Sequence, residues 1–150
     1  MEDFKTINDI LDFAISSEQE AVEFYSALAK NSKNAEMVET FQQFAKEEMG
    51  HKAKLMKIKK EGSFEIRSEQ ILDLKIADYM VDVEASANMS YADALIVAMK
   101  KEKSAFRLYN DLAGKAPSNM KNIFLSLAQE ESKHKLRFEI EYDDFVLREN

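Results

Sequence analysis

The chain has 150 residues, a net charge of −7, three glycines, one proline and no cysteine. The length fits one domain over 1–150, and so few glycines and prolines argue against an all-β or loop-rich chain and favour long helices. The lack of cysteine excludes disulfides, cysteine-ligated iron–sulfur or zinc sites and thiol catalysis. The acidic balance, with lysines spread along the chain, argues against a nucleic-acid partner.

Neither a secretory signal nor a membrane span is expected. The first residues, Met1 to Phe4, are acidic and lack the basic-then-apolar order of a signal peptide. No apolar run approaches the ~20 residues needed to span a bilayer. We therefore expect a cytoplasmic protein with no membrane partner.

The apolar periodicity predicts a first helix pair over about 7–61. Helix 1 should begin near the capping residues Thr6 to Asp9, and helix 2 should end before Gly62. The loop at 31–34 is short, which makes the two helices antiparallel neighbours.

A long connection over about 62–89 separates the first pair from the second. Residues 64–66 could be briefly extended, and residues 71–83 could form a short amphipathic helix. The connection is long enough to cross the length of a bundle, so we expect helices 2 and 3 to run parallel.

The second pair is predicted over about 90–147. Ser90 and Asp93 form a capping-box pattern that opens helix 3, and Gly114 is the expected stop. Helix 4 should begin near Ser118. The expected fold is an all-α, antiparallel four-helix bundle with one long crossover between helices 2 and 3.

The only two histidines each follow a glutamate by three residues, as Glu48 with His51 and Glu131 with His134. Residues three apart lie on one helical face, so each pair can bind a metal ion. Both pairs occupy the apolar seam of their helix, where a carboxylate persists mainly when it is paired or bound to metal. The seams, at spacings of three and four, are Phe41, Phe44, Glu48, His51, Leu55 and Ile58, and Phe124, Leu127, Glu131, His134 and Phe138.

The two helix pairs are copies of one another. Helix 3 repeats helix 1 at an offset of 84 residues, and helix 4 repeats helix 2 at an offset of 83. The repeat aligns Glu18 with Glu102 and Tyr25 with Tyr109, and both glutamates again fall on a seam. Each half of the chain therefore supplies one lone glutamate and one Glu-x-x-His.

Four carboxylates and two imidazoles can converge on one cavity of the bundle. Such oxygen-rich ligands suit iron or manganese better than structural zinc. Two divalent cations would also neutralise four carboxylates, so the sequence predicts a di-metal centre. Glu47 and Glu130 lie one residue off the seam and are expected to be solvated, with a role as spare ligands as the alternative.

These motifs resemble the di-iron domain of the rubrerythrin family, in the ferritin-like superfamily. The resemblance implies a ferritin-like bundle with two iron ions, manganese being possible. It makes Glu18 and Glu102 terminal ligands and Glu48 and Glu131 bridging ligands, with one histidine for each iron. The implied metal ligands are Glu18, Glu48, His51, Glu102, Glu131 and His134, in segments that span nearly the whole chain.

The same resemblance implies that Tyr25 and Tyr109 donate hydrogen bonds to ligating carboxylates. Two features depart from the family. Rubrerythrins proper carry a further glutamate ligand where this chain has Ala105, and this bears on their redox-linked ligand exchange and peroxidase efficiency. They also usually carry a cysteine-ligated rubredoxin centre, which this chain cannot form. Electrons would therefore come from an external donor protein or from iron(II) itself.

The implied function is a non-haem di-iron oxidoreductase that reduces peroxide or dioxygen, with a place in the response to oxidative stress and a homo-oligomeric state, expected to be a dimer. The alternatives are ferritin-like oxidation and storage of iron(II), and a dimanganese centre similar to that of catalases. A third alternative is a structural bundle that has lost its metal site.

Overall fold

The computed structural model describes residues 4–62, 71, 74–81 and 89–149. These residues form four long helices and one short 3-10 helix, with no strand among them, so the predicted all-α fold is confirmed. The long helices are α1 (Ile7–Asn31), α2 (Ala35–Glu61), α3 (Tyr91–Lys115) and α4 (Ser118–Glu149), and the 3-10 helix is Ile76–Tyr79.

The first helix pair begins and ends at the expected caps. The amide of Asp9 donates to the Thr6 hydroxyl at 3.2 Å, and the amide of Thr6 donates to the Asp9 carboxylate at 3.1 Å. Asn34 caps α2 by accepting from two amides of its first turn. Gly62 ends α2 in the left-handed conformation, with φ of 56°, which glycine adopts at little cost.

The predicted stop of helix 3 at Gly114 is wrong. The glycine lies inside α3, which continues to Lys115 and ends at Ala116 with φ of −81° and ψ of 152°. Proline disfavours the helical conformation of the residue before it, so Pro117 fixes the end of the helix at Ala116. The predicted opening at Ser90 is confirmed, since its hydroxyl accepts from the Asp93 amide at 3.1 Å.

The crossover packs against α3 where the structure describes it. Ile71, Leu74 and Tyr79 are buried, and the Tyr79 hydroxyl donates to Asp111 at 2.6 Å. Of the short helix expected within 71–83, the described residues show a helical Ile71 and the 3-10 helix Ile76–Tyr79. The expected extended segment at 64–66 lies outside the described residues.

Contacts between the two pairs establish the helix directions. Glu48 contacts His134 while His51 contacts Glu131, so α2 and α4 are antiparallel. Because α3 and α4 form an antiparallel hairpin, α2 and α3 run parallel, as the long crossover predicts.

Two apolar layers fill the bundle on either side of a polar middle. One layer contains Ile10, Leu55 and Leu112, and the other contains Phe41 and Phe138. The buried charged side chains of the four helices lie mainly between these layers. The described part of the chain contains no helix that is both long and apolar enough to cross a membrane.

Two glycine substitutions test the helix ends. Gly62→Ala should lower the free energy of unfolding by about 1 kcal/mol, because alanine must adopt a positive φ. Gly114→Ala should instead raise it by up to ~1 kcal/mol, because a Cβ there meets no described atom within 4 Å and alanine favours the helix. Urea unfolding measures both values. Equal effects of the two substitutions would contradict the placement of Gly62 at the end of α2 and of Gly114 inside α3.

Candidate metal centre

Six ionisable side chains, at least one from each long helix, meet between the two apolar layers. Each lone glutamate, and each Glu-x-x-His pair taken together, has apolar seam residues on both sides along its helix, so the helix itself turns the polar groups inward. Their exposed fractions are Glu18 2%, Glu48 1%, His51 4%, Glu102 1%, Glu131 2% and His134 3%. All six side chains singled out by the sequence are thus brought together.

These side chains form two overlapping groups, each of which could hold a metal ion. In both groups one atom from each residue lies within 4.8 Å of the others. The groups share Glu48 and Glu131, and each adds one lone glutamate and one histidine. The first group is Glu18, Glu48, His51 and Glu131, and the second is Glu48, Glu102, Glu131 and His134.

Both histidines turn Nδ1 toward the carboxylates. His51 Nδ1 lies 2.8 Å from Glu131 Oε1 and 3.6 Å from Glu18 Oε2. His134 Nδ1 lies 2.9 Å from Glu48 Oε1 and 3.5 Å from Glu102 Oε1. Each imidazole therefore lies closer to the bridging candidate of the other repeat than to the lone glutamate of its own repeat.

Several atoms in this cluster are buried without a hydrogen bond in the described structure: Glu18 Oε2, His51 Nδ1, Glu102 Oε2 and Glu131 Oε1. Leaving such groups unpaired costs about 1 to 3 kcal/mol each, and more when they are charged. His51 Nδ1 and Glu131 Oε1 are only 2.8 Å apart, yet they are not aligned as donor and acceptor. Atoms that converge without bonding one another are the arrangement that a cation between them would satisfy.

Two buried tyrosines tie the repeats together. Tyr25 on α1 donates its hydroxyl hydrogen bond to Glu102 on α3, and Tyr109 on α3 donates to Glu18 on α1. Burial, followed by the adjacent carboxylate, raises the pKa of each phenol well above its usual range. Both tyrosines therefore stay neutral donors that fix the carboxylates in place.

Glu47 and Glu130 are not simply solvated, contrary to the sequence expectation. Their side chains are 39% and 44% exposed, but Glu47 Oε2 lies 3.0 Å from His134 Nε2, and Glu130 contacts His51 Nε2. A carboxylate that accepts from Nε2 leaves Nδ1 free to bind a cation. The sequence signal for this role is the repeat itself, since both glutamates precede a Glu-x-x-His glutamate directly.

When no cation is bound, most of these groups hold protons. Burial and the neighbouring carboxylates raise the pKa of Glu18 and of Glu131 well above the usual range. Burial alone would lower the histidine pKa values, but the facing carboxylates outweigh it and raise them to about 11 for His51 and about 10 for His134. Burial also opposes the ionisation of Glu48, yet hydrogen bonds from Glu18 and both histidines hold its pKa below the usual range.

A groove of about 520 Å³ lies between α2 and α4 and reaches this cluster. Glu47 and Glu130 line it together with Phe44 and His134. The groove therefore brings solvent to the outer side of His134.

Four helices that bring four carboxylates and two imidazoles to one buried centre are the ligand arrangement of di-metal carboxylate bundles. A family model described as Rubrerythrin matches residues 9–91 and 93–150. The chain belongs to the rubrerythrin family. Neither the curated proteins nor the solved structures contain a match.

Glu130→Ala should weaken metal binding about 10-fold to 100-fold, because His51 loses the carboxylate that orients its ring. Equilibrium dialysis with manganese(II) measures the change. Glu139→Ala is the matched control, since Glu139 is 40% exposed on the same helix and pairs only with Lys135 among the ion pairs of the described residues. Equal affinities for the two variants would contradict the role of Glu130.

Metal binding should release protons and tighten as the pH rises. The folded protein keeps its histidines protonated up to about pH 10 and 11, and a cation at Nδ1 must displace those protons. Manganese(II) titration calorimetry at about pH 6 and pH 8, in two buffers of different ionisation enthalpy, measures the release. An affinity independent of pH, with the same enthalpy in both buffers, would contradict it.

Proposed function

We propose that this protein is a non-haem di-iron oxidoreductase of the peroxidase or oxidase type, reducing peroxide or dioxygen. The observation that carries the proposal is the pair of overlapping groups that share Glu48 and Glu131. Shared carboxylates hold two cations close enough to act on one small molecule. The proposed ligands are Glu18, Glu48, His51, Glu102, Glu131 and His134.

Charge and ligand type favour two divalent ions of iron, with manganese as the alternative. Four carboxylates balance two divalent cations, and one imidazole per metal with oxygen ligands suits both elements. When bound, two iron(II) ions supply the two electrons that reduce peroxide to water.

The protein's own side chains position the ligands and control access. Tyr25 and Tyr109 hold the lone glutamates, while Glu47 and Glu130 hold the histidines. The apolar layers above and below exclude bulk water, and the groove between α2 and α4 is the proposed route for a small oxidant.

The absence of one family ligand limits how the centre can exchange its glutamate ligands. Ala105, three residues after Glu102, is partly buried and packs against the apolar layer that contains Leu112. It offers no carboxylate, so we infer that a switch between glutamate ligands at this position does not occur. We also infer an external electron-donor protein, because the chain has no cysteine to hold an electron-transfer iron.

Metal content and peroxide consumption test the proposal together. Protein loaded anaerobically with iron(II) should bind two irons per chain, develop a ferric band on adding peroxide, and consume peroxide faster than free iron. Glu48→Ala and His134→Ala should lose most of the bound iron, because each removes a ligand candidate from the cluster. The control variant Glu139→Ala should keep its bound iron.

Iron-loaded protein that consumes neither peroxide nor dioxygen faster than free iron would overturn the proposed activity. Particle size from light scattering distinguishes the proposed oxidoreductase from an iron-storage protein, because storage requires a closed shell and an oxidoreductase does not. Iron content that Glu48→Ala and His134→Ala leave unchanged would overturn the proposed centre.

A further inference from the structure

The imidazole of His134 is stacked on the ring of Phe44. The two ring centroids lie 4.0 Å apart, and the ring planes are inclined by 25°. Phe44 is itself held by Phe138, whose ring meets it edge-on with centroids 5.3 Å apart. Rings in van der Waals contact restrict one another's rotation. The stack therefore helps to hold the His134 ring in the orientation that turns Nδ1 toward Glu48 and Nε2 toward Glu47.

The other half of the repeat has a leucine in place of the stacking phenylalanine. At the repeat offset of 83 residues His51 corresponds to His134, and Phe44 corresponds to Leu127. Leucine has no ring to stack on an imidazole. Leu127 is also fully buried, whereas Phe44 is only partly buried and lines the groove between α2 and α4. The two halves therefore share their ligand candidates but differ in the side chain that covers the histidine.

The two groups of ligand candidates also differ in their unpaired atoms. Glu18 Oε2 and His51 Nδ1 belong only to the first group, and neither has a hydrogen bond in the described structure. The second group contributes Glu102 Oε2 to these unpaired atoms, but its imidazole is already paired, with His134 Nδ1 2.9 Å from Glu48 Oε1. A cation in the first group satisfies atoms that are otherwise unpaired, whereas a cation in the second must displace a hydrogen bond. We therefore expect the first group to bind its ion more tightly.

The groove between α2 and α4 reaches the second group and is suited to a cation. His134 lines it beside Phe44. Four carboxylates and two basic side chains also line the groove, so its charge favours an approaching divalent cation. These residues are Glu36, Glu39, Glu47, Glu130, Lys133 and Arg137. An ion bound by the second group therefore has a route to solvent past the ring of Phe44.

We propose that the two metal positions are inequivalent: the first group retains its ion, and the second exchanges its ion with solvent through the groove, at a rate that Phe44 controls. Phe44 is a positioning residue, because it fixes the imidazole of His134 and covers one face of that ring. This inference rests on the di-metal centre of the proposed function. Exchange of a divalent cation needs no electron transfer, so it can be measured without peroxide.

Release of manganese(II) to a chelator measures the two positions. Protein with two manganese(II) ions per chain is mixed with excess EDTA, and the metal left on the protein is counted at successive times after rapid gel filtration. One ion per chain should leave in a fast phase, and the other about 10-fold to 100-fold more slowly, as expected for one buried group left unsatisfied. Glu102→Ala should remove the fast phase and Glu18→Ala the slow phase, because each glutamate belongs to one group only.

Phe44→Leu gives α2 the leucine that α4 has at the same position of the repeat. It should speed the fast phase roughly 2-fold to 10-fold, as expected for one lost aromatic contact, and leave the slow phase unchanged. Phe44→Tyr keeps the ring and should keep both wild-type rates. Phe41→Leu is the matched control and should also keep them, because Phe41 lies one turn earlier on α2 and packs against Phe138 and Tyr91. Thermal unfolding of all variants shows whether they fold alike.

Release of both ions at one rate would overturn the inference and leave the proposed oxidoreductase function intact. Equal effects of Phe44→Leu and Phe41→Leu on the fast phase would also overturn it, because Phe44 would then have no particular role in exchange. A fast phase that survives in Glu102→Ala and disappears in Glu18→Ala would reverse the two positions and overturn it as well. Protein that bound fewer than two ions of either manganese or iron per chain would overturn the inference and the proposed di-metal centre together.

Discussion

The structure depends on one constraint: four carboxylates lie in the core of a small helical bundle, each no more than 2% exposed. Their mutual repulsion and lost hydration would each cost several kcal/mol if all four were ionised without compensation. Protons on Glu18 and Glu131 offset part of this cost when no cation is bound, since burial and the neighbouring carboxylates raise the pKa of both groups. Two divalent cations would do so without the protons.

The tyrosine contacts link this constraint to the fold. Tyr25 and Tyr109 each reach across to the lone glutamate of the other repeat, so neither helix pair completes its own polar middle. The same exchange occurs at the histidines, where His51 approaches Glu131 and His134 approaches Glu48. The two repeats are therefore joined chiefly by the groups that form the centre and by the apolar layers around it.

Much of the fold and the centre could be predicted from the sequence, because seam spacing and an internal repeat fix which residues face inward. A polar residue in a seam at two repeat-related positions predicts Glu18, Glu102 and the Glu-x-x-His pairs without any contact information. Gly114 was mispredicted because the stop is decided by its neighbour Pro117, whose effect on Ala116 is local and stronger than the preference of one glycine.

Other features depend on side-chain geometry that spacing does not determine. Glu47 and Glu130 lie off the seam, and only the long reach of a glutamate brings their oxygens to His134 and His51. The ring contacts from Tyr25 through Phe138 and Phe41 to Tyr91 likewise join four helices, and spacing along one helix does not predict them.

The apolar layers explain how the protein can keep so polar a centre. Burying a side chain such as Phe41, Phe138 or Leu112 stabilises the fold by roughly 1.5 to 3 kcal/mol each. A few such residues on each side offset the several kcal/mol that each buried charge costs. The layers can therefore hold the helices in register while the centre exchanges protons for cations.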